Sequence, residues 1–291
     1  MGSAPDRWAA WLLERRHGGD EESLRETLAF LAPIRERVLE NAALQPGDTL
    51  LDVGCGDGLI AFGGLERVGT DGRVVFSDVS RELLDTCRAV AAGDERCVFV
   101  SAPATDLSPI ADESIDAVTM RSVLIYVSDR ERAFAEFFRV LRPGGRLSIF
   151  EPLNSFEYPG PEDRYGRWDV TPVRDLADRV KDVFRAIHDG EGNTMHDFEA
   201  PDFVALAEQA GFSQIDAEAA YSVGPTQPFE TWDTYENSSA NPLVPTLAEA
   251  IDSALTAEEA ARLRAHLRAK AEAGDGTERM ATLYLWAKKA R

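Results

Sequence analysis

The sequence predicts an α/β fold built on a doubly wound, mostly parallel sheet of seven strands with helical insertions. Short apolar segments typical of strands alternate with segments of helical periodicity from residue 49 to residue 152. A turn with three glycines in five positions, residues 54–58, joins the first of these strands to a helix. The 291 residues are 44% hydrophobic, which provides enough apolar material for a sizeable core.

The first half of the chain shows the clearest alternation. A helix is expected to begin at Ser23, because Ser23 and Glu26 have the spacing of a capping box. Strands separated by helices of about 10–15 residues pair in parallel through right-handed crossovers, so the strands that follow form one sheet. We predict strands over 49–53, 72–79, 97–102, 114–120 and 146–152, and helices over 59–67, after a cap at Ser80, and after a capping pair formed by Ser128 and Glu131.

The second half of the chain is less regular. We expect a loop over 153–171, helices over 172–187 and 200–211, a sixth strand over 215–223, helices within 225–276 with a capping box at Thr256 and Glu259, and a seventh strand over 280–290. The predicted domains are an N-terminal helical lid segment (1–45), an α/β domain (46–224, with an insertion at 153–199), and a segment of helices and a final strand that completes the sheet (225–291).

The composition and the net charge of the chain exclude several classes of binding partner. The formal charge of −20 would repel a polyanion, so we expect no nucleic-acid partner. No apolar run approaches the roughly 20 residues that cross a bilayer, and the N-terminus lacks the pattern of a signal peptide. Cys55, Cys87 and Cys97 have no metal-site spacing. We therefore predict a cytoplasmic protein with reduced thiols and no metal, as a monomer or homodimer, with Cys55 and Cys87 as small core residues.

The glycine turn indicates the class of ligand. A dinucleotide site prefers a third glycine at position 59, which is Leu59 here. Asp52 lies in the strand before the turn and Asp57 lies within it, and two carboxylates so close to the turn would repel a pyrophosphate. Asp78, 20 residues past Gly58, ends the second strand, where an acid accepts hydrogen bonds from ribose hydroxyls. These residues favour a nucleoside with a cationic tail, which describes S-adenosylmethionine.

Four segments then carry a family resemblance. LLDVGCGDG, VVFSDVS, SIDAVTMRSVLIYVSD and VLRPGGRLSIFEP stand in the order and spacing of the class I S-adenosylmethionine-dependent methyltransferases. Over residues 40–225 the sequence most resembles the small-molecule type, typified by the ubiquinone and menaquinone C-methylating enzymes, whose sheet is Rossmann-like. The resemblance implies that S-adenosylmethionine binds at Asp52, Gly54, Cys55, Gly56 and Gly58 (methionine), Asp78 (ribose), Val79, Ala104 and Thr105 (adenine), and Arg121 and Ser122 (cofactor tail).

The sequence departs from the family pattern at two places. The adenine loop usually offers an acid where Pro103 stands, so Thr105 or Asp106 would bind the adenine amino group instead. The segment after the fourth strand often contains paired histidines, and here it reads LIYV. A base of that kind is therefore absent from this position.

Candidate groups for the acceptor lie beyond the strand ends. We predict catalytic roles for Tyr126, Glu151 and His196, and Arg121 is an alternative ligand for a substrate carboxylate. Aromatic residues of the insertions would line an apolar pocket for an uncharged or aromatic molecule, or would instead pack the added helices onto the sheet. They and the nearby histidine are Trp8, Trp11, Phe156, Tyr158, Tyr165, Trp168, His188, Phe229, Trp232 and Tyr235. By contrast, Asp116 is interpreted as a structural acid at a strand start.

Three functions remain open at this point. The first is an S-adenosylmethionine-dependent methyltransferase that acts on a small molecule at an O, N or C atom. The second is a protein of the same fold that binds the cofactor but catalyses a cyclisation or elimination, or serves as a non-catalytic subunit. The third, a nicotinamide oxidoreductase, is disfavoured by Leu59 and by the acids around the turn.

Overall fold

Seven strands form the central sheet of the computed structural model, which describes residues 6–190, 193–226 and 231–291. Two further short strands form a separate hairpin. The strands are β1 (Thr49–Val53), β2 (Arg73–Asp78), β3 (Cys97–Ser101), β4 (Ile115–Arg121), β5 (Leu141–Pro152), β6 (Arg164–Tyr165), β7 (Trp168–Asp169), β8 (Gln214–Pro225) and β9 (Thr277–Lys288).

The order of the strands confirms the predicted mostly parallel sheet. The sheet runs β3-β2-β1-β4-β5-β9-β8. β1 pairs in parallel with β2 and β4, β2 pairs in parallel with β3, and β4 with β5, whereas β9 is antiparallel to β5. From β1, the chain first adds β2 and β3 on one side and then adds β4 and β5 on the other side. β1 is therefore the topological switch point of the sheet. Open α/β sheets bind ligands beyond the carboxyl ends of the strands at such a switch point.

Ten α-helices accompany the strands in the described part of the chain. They are α1 (Arg7–Leu13), α2 (Glu21–Ala42), α3 (Leu59–Val68), α4 (Arg81–Ala91), α5 (Arg130–Val140), α6 (Arg174–His188), α7 (Ala200–Ala210), α8 (Trp232–Asn237), α9 (Leu247–Ala254) and α10 (Ala257–Glu272). None of the helices in 6–190, 193–226 or 231–291 is both long and apolar enough to cross a membrane.

Helix caps test the sequence prediction in detail. The Ser80 hydroxyl accepts the Leu83 N–H at 3.1 Å, as predicted for α4. The predicted capping box of α10 at Thr256 is also present. Two predicted caps are wrong by one to three residues. Asp20, rather than Ser23, accepts the first free N–H groups of α2, and Asp129, rather than Ser128, caps α5. In both cases the helix begins at a different residue from the predicted one, and a nearby carboxylate accepts its first N–H groups.

Two other boundaries differ from the prediction. β5 begins at Leu141, directly after α5, and therefore includes the RPGG segment that was expected only to end the helix. The register of β4 against β5 shifts between Ile115, which pairs with Leu141, and Ala117, which pairs with Arg146. The RPGG segment lies between these two pairs, where the pairing of the strands is irregular. Residues 153–171, predicted as a loop, contain the β6–β7 hairpin, in which Tyr165 pairs with Trp168.

The described residues divide into two compact units. The sheet unit comprises Phe30–Leu153, Asp197–Ala220 and Thr282–Arg291. Its core on one side of the sheet joins residues of α2, α3 and α4 to strand residues such as Leu50 and Phe76, both fully buried. Successive side chains of a strand point to opposite faces of the sheet. The residues next to Leu50 and Phe76 in their strands therefore face the opposite side of the sheet from this core.

The helical unit has a core of its own. It comprises Met1–Ala29, Asn154–His196 and Tyr221–Ala281, taken over the described residues. The buried members of its core come from the hairpin, from α6, α8, α9 and α10, and from the segment between the hairpin and α6. They include Trp168, Val180, Trp232, Ile251 and Leu263. The division into a lid segment, an α/β domain and a C-terminal segment stays a prediction.

Side chains predicted to have structural roles are placed as expected. Asp116 accepts the Thr49 N–H at 2.8 Å and pairs with Arg142 at 2.8 Å, which joins the starts of β1, β4 and β5. Cys55 and Cys87 are buried members of the sheet unit's core.

Candidate functional site

The glycine turn between β1 and α3 has a backbone that glycine adopts at the least cost. Gly54, Gly56 and Gly58 have φ angles of 65°, 56° and 88°, all in the left-handed region. The Cys55 N–H donates to the Ser77 carbonyl at 3.0 Å, which fixes the turn against β2. Backbone conformation alone therefore favours glycine at all three positions.

Neighbouring side chains fill the space beside two of these glycines. A Cβ at Gly54 would overlap a methyl group of Val123, and a Cβ at Gly58 would overlap the ring of Phe62. The Cys87 sulfur lies 3.2 Å from that second Cβ position. Packing thus explains Gly54 and Gly58 without a ligand, and the groups that could bind one are the polar side chains around the turn.

Asp78 connects the glycine turn to the helix that follows β2. Its Oδ2 accepts the Gly56 N–H at 2.9 Å, and its Oδ1 accepts the Ser80 N–H at 2.8 Å. The residue is 7% exposed. A carboxylate offers about four acceptor positions, so Asp78 can accept ribose hydroxyls while it keeps both backbone contacts. This geometry fits the role that the family resemblance implies.

Asp52 is held by protein groups near the end of β1. Its Oδ1 accepts the Thr119 hydroxyl at 2.8 Å, and its carboxylate also accepts the Ala61 N–H. Burial raises the pKa of Asp52 to about 7, against the lowering effect of the Thr119 hydrogen bond, and the nearby charge of Asp78 adds to the rise. The side chain therefore links β1, β4 and α3 around the turn.

The predicted adenine contacts lie next to Asp78. β2 and β3 pair with Asp78 opposite Ser101, so the loop after β3 begins beside the end of β2. Val79 is 51% exposed, an apolar side chain open to a flat ring, and Ala104 is buried in the loop.

The polar residues of the same loop are already bonded to protein groups. The Thr105 carbonyl accepts Arg132 Nε at 3.2 Å. The exposed Asp106 accepts the Ser108 N–H at 3.1 Å, and its hydrogen bonds to Ser108 lower its pKa. An ionised Asp106 suits an amino group, so it remains a predicted adenine contact.

At the end of β4, the side chain of Arg121 lies near several acidic side chains of the sheet unit. Ser122 has a φ of 55°, an uncommon angle for a residue other than glycine. Arg121 is partly buried, and its Nη1 lies 3.4 Å from the Ser122 hydroxyl. Burial lowers the pKa of Arg121, and the negative charges of Asp57 and Asp52 oppose that change. The positive charge of Arg121 therefore lies close to the acids around the turn.

Glu151 and Tyr126, two of the predicted catalytic residues, lie near Arg121. Glu151 is fully buried near the end of β5, and its Oε1 accepts the N–H groups of Val123 and Leu124. Burial raises the pKa of Glu151 to about 7, although these bonds lower it. Tyr126 is half-buried in a short 3₁₀ turn, and its electrostatic interaction raises the pKa of Arg121.

His196, the third predicted catalytic residue, belongs to the helical unit. Its ring stacks on Tyr158 with centroids 4.3 Å apart and meets His188 edge-on at 4.7 Å. The Tyr158 hydroxyl donates to Asp189 at 3.0 Å. Burial lowers the pKa of His188. Sequence reasoning named these rings separately and did not predict that three of them meet.

The other predicted aromatic residues are also found mostly within the helical unit's packing. Trp168 and Trp232 are buried in its core, with Tyr165 and Tyr235 packed against it. Phe156 meets Tyr221 at 5.1 Å. Trp8 lies beside Arg7, Trp11 donates to the Ser239 carbonyl at 2.7 Å, and Phe229 falls outside the described residues. An aromatic pocket for the acceptor stays a prediction.

Sequence reasoning missed two residues that hold the turn. Val123 occupies the space beside Gly54, and Thr119 binds Asp52. Both lie at or just after the end of β4, which pairs with β1 through Asp52 and Thr119. Strand adjacency at the switch point is the signal that could have identified them.

Comparisons with known proteins agree with this geometry. A family model described as "Methyltransferase domain" matches residues 51–149. The chain is 35% identical over 119 residues to the arsenite methyltransferase of Halobacterium salinarum, covering 40% of this chain and 30% of that protein. It spans about half the length of other curated relatives, 49% and 48% for two of them. Among solved structures, the cyclase SpnF shares the fold, with a TM-score of 0.51, 20% identity, and coverage of 89% of this chain and 82% of that one.

One relative is matched over more of its length. The chain is 30% identical over 195 residues to the ubiquinone/menaquinone biosynthesis C-methyltransferase of Brucella anthropi, which covers 65% of this chain and 68% of that protein. The family model's match to residues 51–149 includes the glycine turn between β1 and α3. The chain therefore belongs to the class I S-adenosylmethionine-dependent methyltransferases, in the small-molecule group that includes the ubiquinone and menaquinone C-methyltransferases.

Proposed function

We propose that this chain transfers the methyl group of S-adenosylmethionine to a small organic acceptor at a carbon, oxygen or nitrogen atom. The observation that carries the proposal is the Asp78 carboxylate, which bonds both Gly56 and Ser80 at the carboxyl edge of β2. An acid held there by backbone N–H groups is suited to bind vicinal hydroxyls. Membership of the methyltransferase family supports the same assignment.

The residues around the turn fit the chemistry of this cofactor. Asp78 would accept the ribose hydroxyls, with Val79 and Ala104 beside the adenine and Asp106 near its amino group. Arg121 would face the carboxylate end, and Asp57 would face the ammonium end. The cofactor supplies an electrophilic methyl group on a sulfonium, and the role of the protein is to align the acceptor and exclude water.

For the acceptor we propose an uncharged or aromatic small molecule. The C-methyltransferase of Brucella anthropi supports an aromatic carbon as the first atom to test. Tyr126 is proposed to contact the acceptor, and His196 to act as a base where the acceptor atom carries a proton. The aromatic residues of the insertions are proposed to line the acceptor pocket.

The test is turnover with a panel of reduced quinones, phenols and amines. We expect S-adenosylhomocysteine to appear in equal amount to a product heavier by one methyl group, as measured by mass spectrometry. The rival function, a reaction on this fold without methyl transfer, instead predicts a converted substrate and no release of S-adenosylhomocysteine. Binding of NADH without binding of S-adenosylhomocysteine would contradict both.

We also propose that the protein works in the cytoplasm, as a monomer or homodimer, without nucleic acid or membrane partners. The free thiols of Cys55, Cys87 and Cys97 and the net charge of −20 support this proposal. Light scattering of the purified chain decides between the two oligomeric states.

A further inference from the structure

Glu151 is a buried acid whose first oxygen is committed to the backbone. Oε1 accepts the Val123 N–H at 2.8 Å and the Leu124 N–H at 2.9 Å. These groups begin the 3₁₀ turn Leu124–Tyr126, where the first N–H groups have no acceptor within the turn itself. The carboxylate therefore caps the turn that follows β4.

The segment that Glu151 caps also packs on the glycine turn. Ser122 has the left-handed φ of 55°, and its N–H donates to the Phe150 carbonyl at 2.9 Å. The next residue, Val123, fills the space that a Cβ at Gly54 would need. One chain of contacts thus runs from Glu151 through Val123 to Gly54.

The second oxygen of Glu151 is closed to solvent. In the part of the chain that the structure describes, Oε2 is buried and accepts no hydrogen bond. The whole residue has no exposed surface. A general base must come within hydrogen-bond reach of the proton that it removes. A carboxylate bonded to the backbone N–H groups of Val123 and Leu124, with a further backbone contact to Ile125 and its other oxygen enclosed, is poorly placed for that task and well placed to hold the backbone.

We propose that Glu151 is a positioning residue, which holds Val123 against Gly54 and so shapes the cofactor-binding turn, and that it does not act as a base toward the acceptor. This inference rests on the proposed function, because it assumes that the turn binds S-adenosylmethionine. It differs from the prediction made from sequence, in which the position of Glu151 at a strand end favoured a catalytic role.

Two substitutions at this position separate the roles. Glu151→Gln keeps a carbonyl oxygen for both N–H groups but cannot act as a base. Glu151→Leu removes the acceptor and leaves two buried N–H groups unbonded. We expect Glu151→Gln to bind S-adenosylhomocysteine within about threefold of the wild-type affinity and to retain turnover, and Glu151→Leu to bind at least about tenfold more weakly.

Glu136 offers a matched control in the same unit. It is another buried glutamate, 5% exposed, that accepts a backbone N–H, from Leu107 at 2.7 Å. It lies on α5, where its carboxylate also pairs with Arg139 at 2.8 Å. Glu136→Gln is expected to leave the affinity for S-adenosylhomocysteine unchanged.

A second variant covers the case in which Glu151→Leu does not fold. Val123→Ala leaves Glu151 intact but removes the methyl groups that face Gly54, and it should weaken S-adenosylhomocysteine binding. Unchanged affinity in Val123→Ala would overturn the inference. A fall in turnover of about a hundredfold or more in Glu151→Gln, with unchanged affinity, would also overturn it, because that result identifies a base.

Amide hydrogen exchange keeps this inference separate from the proposed function. If the wild-type protein does not bind S-adenosylhomocysteine, the proposed function fails. The capping role is then still decided by the amides of Val123 and Leu124, which should exchange slowly in wild type, Glu151→Gln and Val123→Ala, because all three keep the acceptor oxygen, and faster in Glu151→Leu. Equal exchange in all four proteins would contradict it.

Discussion

Buried carboxylates around the glycine turn are the most informative side chains in this protein. Asp52, Asp78 and Glu151 are each less than a tenth exposed. Burying a charge is costly unless hydrogen bonds compensate it, and each of these acids accepts at least two such bonds. Together they fix the backbone of the turn, so the chemistry of the site and its local stability depend on the same groups.

The glycine at position 58 allows a controlled test of packing. Gly58 and Gly93 have nearly equal φ angles, 88° and 86°, but a Cβ at Gly93 would meet nothing within 4 Å. Gly93→Ala should cost about 1–2 kcal/mol from the left-handed conformation alone. Gly58→Ala should cost a further 1–3 kcal/mol or so, because its Cβ overlaps the Phe62 ring. Urea denaturation measures both, and equal losses would contradict the packing account.

The raised pKa of Asp52 predicts how stability depends on pH. Burial raises this pKa to about 7, from about 3.9 in an unfolded chain. The stabilisation from this group is fully present below about pH 4 and is lost as the pH rises through 7. Between about pH 5 and pH 8, wild type should therefore lose more free energy of unfolding than Asp52→Asn does. Asp71→Asn, at an exposed carboxylate, is the control, and parallel curves for wild type and Asp52→Asn would refute the expectation.

Two helices of the sheet unit begin where a side chain accepts their first N–H groups. α4 begins after Ser80 and α5 after Asp129. α4 begins beside the end of β2, so its cap also places Asp78 next to the glycine turn. The cap of α4 therefore helps to fix where Asp78 lies relative to the sheet.

The cap of α5 can be checked by paired substitutions. Asp129 accepts the Arg132 N–H at 2.9 Å, whereas sequence spacing had favoured Ser128. Asp129→Ala should lower the free energy of unfolding by about 1 kcal/mol. Ser128→Ala should change it by less than about 0.5 kcal/mol. A larger effect at Ser128, measured by thermal or urea unfolding, would show that the cap is misplaced.

The sequence predicts most features of this structure that depend on residues close together in the chain. It does not predict those that depend on residues far apart in the chain. Apolar periodicity located the seven strands, because it is a local pattern. The spacing from Gly58 to Asp78 is also local, and it predicts the edge of the sheet at which the cofactor would bind. The cap at Asp129 was missed because neighbouring acceptors compete for the same N–H groups. The contacts of Glu151 with Val123, and of His196 with Tyr158, join distant segments, and no local pattern encodes them.

The molecule as a whole combines a strongly acidic chain with a sheet that reverses order at β1. The net charge is −20, while Arg121 lies among the acids at the switch point. A negative surface raises the local concentration of cations and lowers that of anions. The same charge that disfavours nucleic acid therefore favours a cationic ligand.

This charge predicts a difference in salt dependence between the two cofactor forms. S-adenosylmethionine carries a net positive charge at neutral pH, and S-adenosylhomocysteine carries none. Raising the ionic strength from about 0.01 M to about 1 M shortens the screening length from about 30 Å to about 3 Å. Affinity for S-adenosylmethionine should fall more steeply than affinity for S-adenosylhomocysteine in calorimetric titrations. Equal salt dependence would mean that the overall charge plays no part in binding.

The most direct test of the cofactor assignment is a calorimetric titration of wild type and Asp78→Ala with S-adenosylhomocysteine. Circular dichroism first establishes that the variant is folded. We expect wild type to bind with a Kd in the micromolar range, worth about 8 kcal/mol. Asp78→Ala should lose about a hundredfold in affinity, because two hydrogen bonds to a charged group disappear. Absence of binding by wild type, or equal binding by both proteins, would contradict the account.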